Sequence, residues 1–142
     1  MEITMDFWPK LNDDQTASLM VYTGTDEVVN VPHIVAGYVT TAVCRWAFAY
    51  NYCNPPVYRE NMIREITLEE GYESLYHGAF YTCSKLEKLS LPSTLKTIYG
   101  DPFETCDSLK KIVFPNGNEY LAFDGEKLTS KDGKTVYFTV KR

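Results

Sequence analysis

Residues Leu68 to Ser90 read LEEGYESLYHGAFYTCSKLEKLS, and residues Leu91 to Val113 read LPSTLKTIYGDPFETCDSLKKIV. Aligned without a gap, the two segments are identical at seven positions, all offset by 23 residues. The identical pairs are Leu68/Leu91, Tyr76/Tyr99, Phe80/Phe103, Thr82/Thr105, Cys83/Cys106, Leu86/Leu109 and Lys88/Lys111. A period of this length indicates a repeat architecture in which each unit must stack on its neighbours, because one unit cannot bury its apolar face alone.

A diverged copy precedes these two segments, and it contains extra residues. Its first apolar residues, Val43, Ala47 and Phe48, match the next unit only at an offset of 32. The later ones, Ile63, Ile66 and Leu68, keep the offset of 23. Nine extra residues therefore lie in the insertion at about 50–61, and five more separate Val31 from Val43.

Each unit is predicted to contain one strand and one short helical or 3₁₀ segment, as the period lies in the leucine-rich-repeat range. Alternation along the triplets 66–68, 89–91 and 112–114 predicts that the outer residues point inward and the middle one outward. We expect one aromatic ring of each unit to fill the core and Tyr76 and Tyr99 to form a column beside it. The expected core rings are Phe48, Phe80, Phe103 and Phe114.

The motif L-P-x-x-L-x-x-I-x-x-x-x-F-x-x-C-x-x-L-x-x-I resembles BspA-like leucine-rich repeats. It is formed by Leu91, Pro92, Leu95, Ile98, Phe103, Cys106, Leu109 and Ile112. The resemblance covers roughly residues 19–140, with the insertion as one departure. Pro102, where the family usually has alanine, is a second departure and is expected to shorten the local helical turn.

Period and resemblance together predict a single domain, a β-rich α/β leucine-rich-repeat solenoid of about three 23-residue repeats with β-hairpin caps at both ends. The N-terminal cap spans residues 1–27, the repeats span 28–114 with the insertion at about 50–61, and the C-terminal hairpin spans 115–142. In the first cap, four side chains are expected to close the core: Phe7, Trp8, Leu19 and Val21. In the second, Asp132-Gly133 between apolar strands predicts the hairpin turn.

Composition limits the function. With 44% hydrophobic and 23% charged residues, the chain can bury a core, and its net charge of −5 argues against binding nucleic acid directly. No run of 18 apolar residues predicts a membrane span, and the first six residues lack the features of a signal peptide. We therefore expect a cytoplasmic protein, or an extracellular or cell-surface protein if a signal peptide has been removed.

No catalytic, metal or cofactor site is predicted. The four cysteines, at 44, 53, 83 and 106, form no C-x-x-C pair, and His33 and His77 have no recognisable catalytic motif around them. Stacking would bring Cys83 and Cys106 within reach of a disulfide, but a ladder of buried thiols is favoured, and Cys53 is expected to be exposed. Glu69-Glu70 is interpreted as a solvated corner.

The resemblance implies a non-enzymatic module that binds a protein partner of unknown identity. The partner-binding residues predicted on the strand face are Arg64, Glu65, Thr67, Lys88, Ser90 and Lys111. Those predicted in the insertion are Tyr50, Tyr52, Pro55, Pro56, Tyr58 and Arg59, because tyrosine and arginine are common in interface hot spots. The alternatives are a plain solvated sheet face and an insertion whose rings fold back over the solenoid.

Charge along the chain suggests a second function. Residues 1–37 carry a net charge of −5, residues 38–84 carry −2 and residues 85–142 carry +2. An acidic end formed by Asp6, Asp13, Asp14, Asp26 and Glu27 would attract a basic partner. The alternative is therefore a small intracellular inhibitor or adaptor of phage or mobile-element origin, similar to anti-CRISPR proteins, that acts on a basic host protein.

Overall fold

A computed structural model describes residues 6–49 and 60–141, which form thirteen β-strands and no helix. In chain order the strands are β1 (Phe7–Leu11), β2 (Ala17–Tyr22), β3 (Val28–Val31), β4 (Ile34–Val35), β5 (Tyr38–Val43), β6 (Glu65–Leu68), β7 (Ser74–Leu75), β8 (Lys88–Ser90), β9 (Thr97–Ile98), β10 (Lys111–Val113), β11 (Leu121–Phe123), β12 (Lys127–Ser130) and β13 (Val136–Thr139).

Two parallel sheets run along the solenoid. The first has the order β3-β6-β8-β10, and the second has the order β2-β5-β7-β9 with β1 added antiparallel to β2. Ile66 pairs with Leu89, and Leu89 with Ile112, so the 23-residue offset read from the sequence is the strand register. The predicted leucine-rich-repeat type of fold is thus confirmed by stacked strands at the expected positions.

The core lies between the two sheets and is filled by aliphatic side chains and a row of aromatic rings. Neighbouring ring centroids are 5.0 to 5.9 Å apart. The row consists of Phe7, Tyr22, Phe48, Phe80, Phe103 and Phe138. Phe48, Phe80 and Phe103 occupy the core as predicted, but Phe114 is only half-buried and Phe138 from the last strand ends the row.

The prediction of a helical or 3₁₀ segment in each unit is wrong for the described residues. Residues 76–83 instead form separate turns, in which the amides of Ala79, Tyr81 and Cys83 each donate to the carbonyl three residues earlier. Thr82, with φ of 73°, then turns the backbone into the left-handed region, where a right-handed helix cannot continue. Thr105 repeats this conformation one coil later, with φ of 67°.

Pro102 shortens the corresponding turn, as expected. The amide of Ala79 donates to the carbonyl of Tyr76, whereas Pro102, at the equivalent position, has no amide hydrogen to donate to Tyr99. The turn segment spans residues 77–82 in the earlier coil and only 102–105 in the later one.

The five extra residues of the first unit build a small antiparallel hairpin, β4–β5. Ala36 and Gly37 form its two-residue turn, with φ of 52° and 85°. Positive φ at both central residues is the geometry of a type I′ turn, whose twist matches that of the flanking strands.

The N-terminal residues form the predicted hairpin, β1–β2, but two of its four expected core residues face outward. Phe7 pairs with Tyr22, and both rings point inward. Because side chains alternate along a strand, the next pair, Trp8 and Val21, lies on the other side, where Trp8 is 42% exposed. Leu19 is fully buried as predicted.

The C-terminal residues form a three-stranded antiparallel sheet, β11-β12-β13, instead of a single hairpin. Asp124-Gly125 makes an additional turn, in which Asp124 Oδ1 accepts hydrogen bonds from the amides of Glu126 and Lys127. The predicted turn between β12 and β13 is present.

Candidate functional site

The predicted strand-face residues lie in columns across the first sheet, which we call the charged face: Arg64, Glu65, Thr67, Lys88, Ser90 and Lys111. Glu65 pairs with Lys88, and Lys88 pairs with Lys111, so one column carries a carboxylate followed by two ammonium groups. Thr67 pairs with Ser90 in the neighbouring column. The register therefore brings together the side chains that the repeat alignment placed side by side.

Arg64 belongs to a further column at the beginning of the strands, where acidic and basic residues alternate. Backbone hydrogen bonds connect Glu27, Arg64, Glu87 and Lys110 in this order. Arg64 Nε lies 3.8 Å from Glu27 Oε1, but both side chains are more than half exposed, so this pair contributes little to stability. Its charges remain accessible to a partner.

Ser90 differs from the rest of the charged face because it is only 7% exposed. Its short side chain stands between the larger Thr67 and Val113 of the paired strands. The prediction that Ser90 offers its side chain to a partner is therefore wrong in this structure, although its column is the predicted one.

The six predicted binding residues of the insertion lie outside the described residues, as does Cys53. These residues are Tyr50, Tyr52, Pro55, Pro56, Tyr58 and Arg59. Just after them, Asn61 is buried, and its Nδ2 donates to the carbonyl of Phe48 at 2.9 Å and to Thr82 Oγ1 at 3.2 Å. The chain that follows the insertion is thus fixed to the core by a buried amide.

A second exposed surface was not predicted. It lies on the second sheet and comprises one residue of β2 and residues just after β5, β7 and β9. We call it the aromatic face: Met20, Arg45, Trp46, Tyr76 and Tyr99. The exposed fractions are 45% for Met20, 52% for Trp46, 41% for Tyr76 and 48% for Tyr99. Tyr76 and Tyr99 form the predicted column, with stacked rings 4.9 Å apart.

Trp46 has an unusual backbone conformation, with φ of 62°. The equivalent residue of the next coil is Gly78, with φ of 71°, and glycine adopts this conformation without strain. The indole lies against Gly78, where an added Cβ would come within 2.8 Å of it. Two further groups lie near the indole. The guanidinium carbon of Arg45 is 5.2 Å from the centroid of the Trp46 ring, and the centroid of the Tyr81 ring is 6.1 Å from it.

Beside the aromatic face lies a groove of about 680 Å³ between the N-terminal hairpin and the turn after β5, which we call the cationic groove. Its lining residues are Lys10, Asn12, Ser18, Met20, Cys44, Arg45 and Tyr76. None of these described lining residues is acidic.

A sequence signal for the aromatic face exists. Aligned at the offset of 32, Cys44-Arg45-Trp46 matches Tyr76-His77-Gly78, directly after strand residues that point inward. Residues at the start of the turn that follows the strand are exposed to solvent, and a tryptophan at such a position is therefore exposed as well. The expected core, cap and insertion positions do not include Trp46.

Cys83 and Cys106 are buried in neighbouring coils, as predicted, and together with Cys44 they are free thiols in this structure. Burial raises the pKa of Cys83 to about 12 and also raises the pKa of Cys106. The thiol of Cys106 donates to the carbonyl of Phe80 at 3.4 Å. Partial burial also raises the pKa of Cys44, so none of the three is an activated nucleophile.

The two histidines take part in structural contacts. His33 lies over Gly71 with Nδ1 at 3.1 Å from the carbonyl of Thr40, and His77 Nδ1 accepts the amide of Asp101 at 2.9 Å. Within residues 6–49 and 60–141, no group of three His, Cys, Asp or Glu side chains is arranged to hold a metal ion. The same residues contain no helix that could span a membrane.

Glu69 and Glu70 connect neighbouring coils instead of only facing solvent. Glu69 Oε1 accepts the amide of His33 at 2.6 Å in the preceding coil. Glu70 accepts the amide and the hydroxyl of Ser93 in the following coil, with its nearest contact at 2.7 Å, and the Asn116 side chain at 2.8 Å. These hydrogen bonds, above all that from the Ser93 amide, lower the pKa of Glu70.

Three carboxylates of the acidic end make contacts within the chain, and one of them, Glu27, is paired with a cation. Asp14 accepts hydrogen bonds from Thr16, Asp26 bonds the Tyr22 hydroxyl, and Glu27 faces Arg64. The two basic residues of the cationic groove, Lys10 and Arg45, lie at this same end of the solenoid.

Comparison with protein families gives one match, to the family described as "BspA type Leucine rich repeat region (6 copies)", over residues 48–130. No curated protein matches the chain at a significant level.

Among solved structures, the chain is similar to a leucine rich cell surface protein from Faecalibacterium prausnitzii, with a TM-score of 0.63, 22% identity, and coverage of 78% of this chain and 29% of that one. It is also similar to the Leucine Rich Repeat protein of T. pallidum, with a TM-score of 0.65, 25% identity, and coverage of 80% of this chain and 50% of that one. A third similar structure is a leucine-rich repeat protein from Bacteroides ovatus, with a TM-score of 0.62, 22% identity, and coverage of 80% and 29%. The chain therefore spans half or less of the length of these proteins.

Proposed function

Because the match over residues 48–130 covers more than half of it, the chain belongs to the BspA type leucine-rich repeat family, and we propose that it is a non-enzymatic protein-binding module. Leucine-rich repeat proteins generally mediate protein–protein interaction through surfaces formed by equivalent residues of stacked units. The proposal adds that the partner contacts the charged face and the insertion at about 50–61.

The observation that carries this proposal is the charged column Glu65–Lys88–Lys111. Parallel pairing places these three side chains next to one another, and none is paired with an oppositely charged group within 4.0 Å among the described residues. Charges that remain accessible on a rigid sheet can steer a partner and select its orientation.

Two features favour binding over catalysis as the role of this sheet. The described thiols have raised pKa values, and each histidine makes a contact with the neighbouring coil. The columns, in contrast, form a continuous surface with side chains of both signs. A partner with complementary charge would bind here without a reacting group.

The likeness to a leucine rich cell surface protein favours the cell surface among the two locations expected from the sequence. The alternative function, an inhibitor or adaptor of phage or mobile-element origin, has no support from the comparisons and stays a prediction.

The test is quantitative capture of proteins from the organism that carries the gene, with the purified chain immobilised at its C-terminus. The variants are Lys88→Glu with Lys111→Glu on the charged face, and Tyr50→Ala with Tyr52→Ala and Tyr58→Ala in the insertion. A protein enriched by the wild type should be lost with each variant, and it should bind the wild type directly when purified.

The matched control is Lys127→Glu with Lys134→Glu in the C-terminal sheet, which changes the net charge by the same amount. If the control loses the partner as fully as the charged-face variant, net charge and not the charged face decides binding. If neither variant changes the captured proteins, the proposed surfaces are wrong.

A further inference from the structure

We propose that the cationic groove binds an acidic linear segment of the protein partner, which deepens the proposed function and rests on it. The groove lies on the second sheet, away from the charged face, so it is a separate site from the one predicted from the sequence. Its volume of about 680 Å³ accommodates a few side chains of such a segment.

The charge of the groove selects the sign of the partner. Lys10 and Arg45 both line it, and among residues 6–49 and 60–141 no carboxylate lies within 4.0 Å of either charged group. The chain as a whole carries a net charge of −5, so this local positive charge is an exception on an acidic protein. A segment with carboxylates would bind at these two cations, because no acidic side chain lines the groove, although the same end of the solenoid carries carboxylates outside it.

The apolar side chains next to the cations indicate that the segment also carries an apolar or aromatic residue. Met20 and Tyr76 line the groove, and each residue is more than two fifths exposed. Methionine adapts its shape to different contacts, and tyrosine buries a large area at low entropic cost. The same groove thus offers charge for the carboxylates and an apolar surface for the anchor.

Trp46 holds Arg45 at the rim of the groove. Its left-handed backbone is strained for a bulky residue, and such strain at an exposed position is commonly linked to function. The indole is fixed against Gly78 and Tyr81, and the guanidinium of Arg45 lies over its ring. Arg45 is therefore positioned before the partner arrives, which lowers the entropic cost of binding.

Aromatic side chains beside cations also bind single-stranded nucleic acid, by stacking and charge. A single strand has a phosphate at every nucleotide, however, and two cations on a chain of net charge −5 give it little electrostatic attraction. The acidic peptide is therefore the favoured occupant, and the nucleic acid is an outcome of the test.

The test is a display library of random linear dodecapeptides, selected on the full-length protein and sequenced before and after selection. We expect the selected peptides to be enriched in Asp and Glu together with an apolar or aromatic residue. Synthetic peptides from this pool should bind Lys10→Glu with Arg45→Glu at least about tenfold more weakly than the wild type, as expected when charged contacts are reversed. Lys127→Glu with Lys134→Glu should bind them as the wild type does.

Folding of each variant is checked by thermal unfolding, and if charge reversal lowers the melting temperature, Lys10→Gln with Arg45→Gln replaces it. The proposal is overturned if no peptide is enriched, if the pool has no acidic excess, or if the groove variant binds it unchanged. Loss of binding only in the charged-face variant overturns the groove but supports the proposed function. If the wild type binds an oligo(dT) 12-mer and the groove variant does not, the groove binds nucleic acid and the proposal of an acidic peptide segment is overturned.

Discussion

The charged face and the aromatic face are built by the same coils, yet they differ in how their residues are arranged. On the charged face all residues but Arg64, which directly precedes β6, lie within strands, at positions that repeat every 23 residues, and their side chains are mostly charged. On the aromatic face all residues but Met20 lie just beyond the strand ends, where the coils differ: Tyr76 and Tyr99 share a column with Cys44, and Arg45 shares the next column with His77 and Gly100.

This difference shows which part of a solenoid surface is regular and which part is individual. A strand must keep its register and its inward apolar residues, so its outward column follows automatically. The first residues of a turn are free of this requirement as long as the ring behind them fills the core. The first described coil uses this freedom to expose an arginine at 45 and a tryptophan at 46, which suits a specific contact.

The largest expected effect comes from a substitution in the core, which supports both faces. Phe80 is fully buried between the sheets, with rings at 5.5 and 5.9 Å on either side. Phe80→Ala should lower the free energy of unfolding by about 3–5 kcal/mol, measured by urea denaturation, because it leaves a cavity in the row of rings. The half-buried Phe114 is the matched control, and Phe114→Ala should cost clearly less. If both variants lose the same free energy of unfolding, Phe114 is a core residue, as the sequence predicted.

An intermediate effect should be confined to the aromatic face. Trp46→Gly should be more stable than Trp46→Ala by about 1 kcal/mol in thermal or urea unfolding, because glycine adopts the left-handed conformation without the steric cost that alanine bears. Both variants lose the same indole, so their difference isolates the backbone strain. If the alanine variant is as stable as the glycine variant, Trp46 is not strained and its role in positioning Arg45 loses this support.

The smallest effect concerns the corner that connects the two sheets. Hydrogen bonds from Ser93 lower the pKa of Glu70 below its ordinary value of 4.5, so Glu70 binds protons more weakly in the folded state. Its stabilising contribution is present above pH 4.5 and is lost as the pH falls through the lowered pKa. Glu70→Gln should reduce stability by about 0.5 kcal/mol or less at pH 7, since the group is exposed, and should flatten the pH dependence below 4.5.

Unfolding midpoints measured from pH 3 to pH 7 would check this, with Glu119→Gln in the loop before β11 as the control. A Glu70→Gln profile parallel to that of the wild type would mean that the Ser93 contacts do not persist in solution. Both faces should keep their structure in either case, because the corner lies between them.

The repeat alignment predicted the strand register, the row of phenylalanines at 48, 80 and 103, and the buried thiols, because burial repeats with the period. It failed for the turns, where Thr82 and Thr105 adopt positive φ, a conformation that no residue type other than glycine signals clearly. It also failed for Trp8, since the inward side of an isolated hairpin depends on how the hairpin packs against the solenoid.

By itself, the sequence determined the solenoid, its period and the charged columns, since each follows from apolar residues recurring every 23 positions and from alternation along a strand. Only the tertiary structure decided that β2 joins the second sheet, that Ser90 is covered by its neighbours, and that Lys10 and Arg45 line one groove. The physical reason is distance along the chain: Lys10 and Arg45 are brought together by the pairing of β2 with β5, and no local pattern encodes a contact between such remote segments.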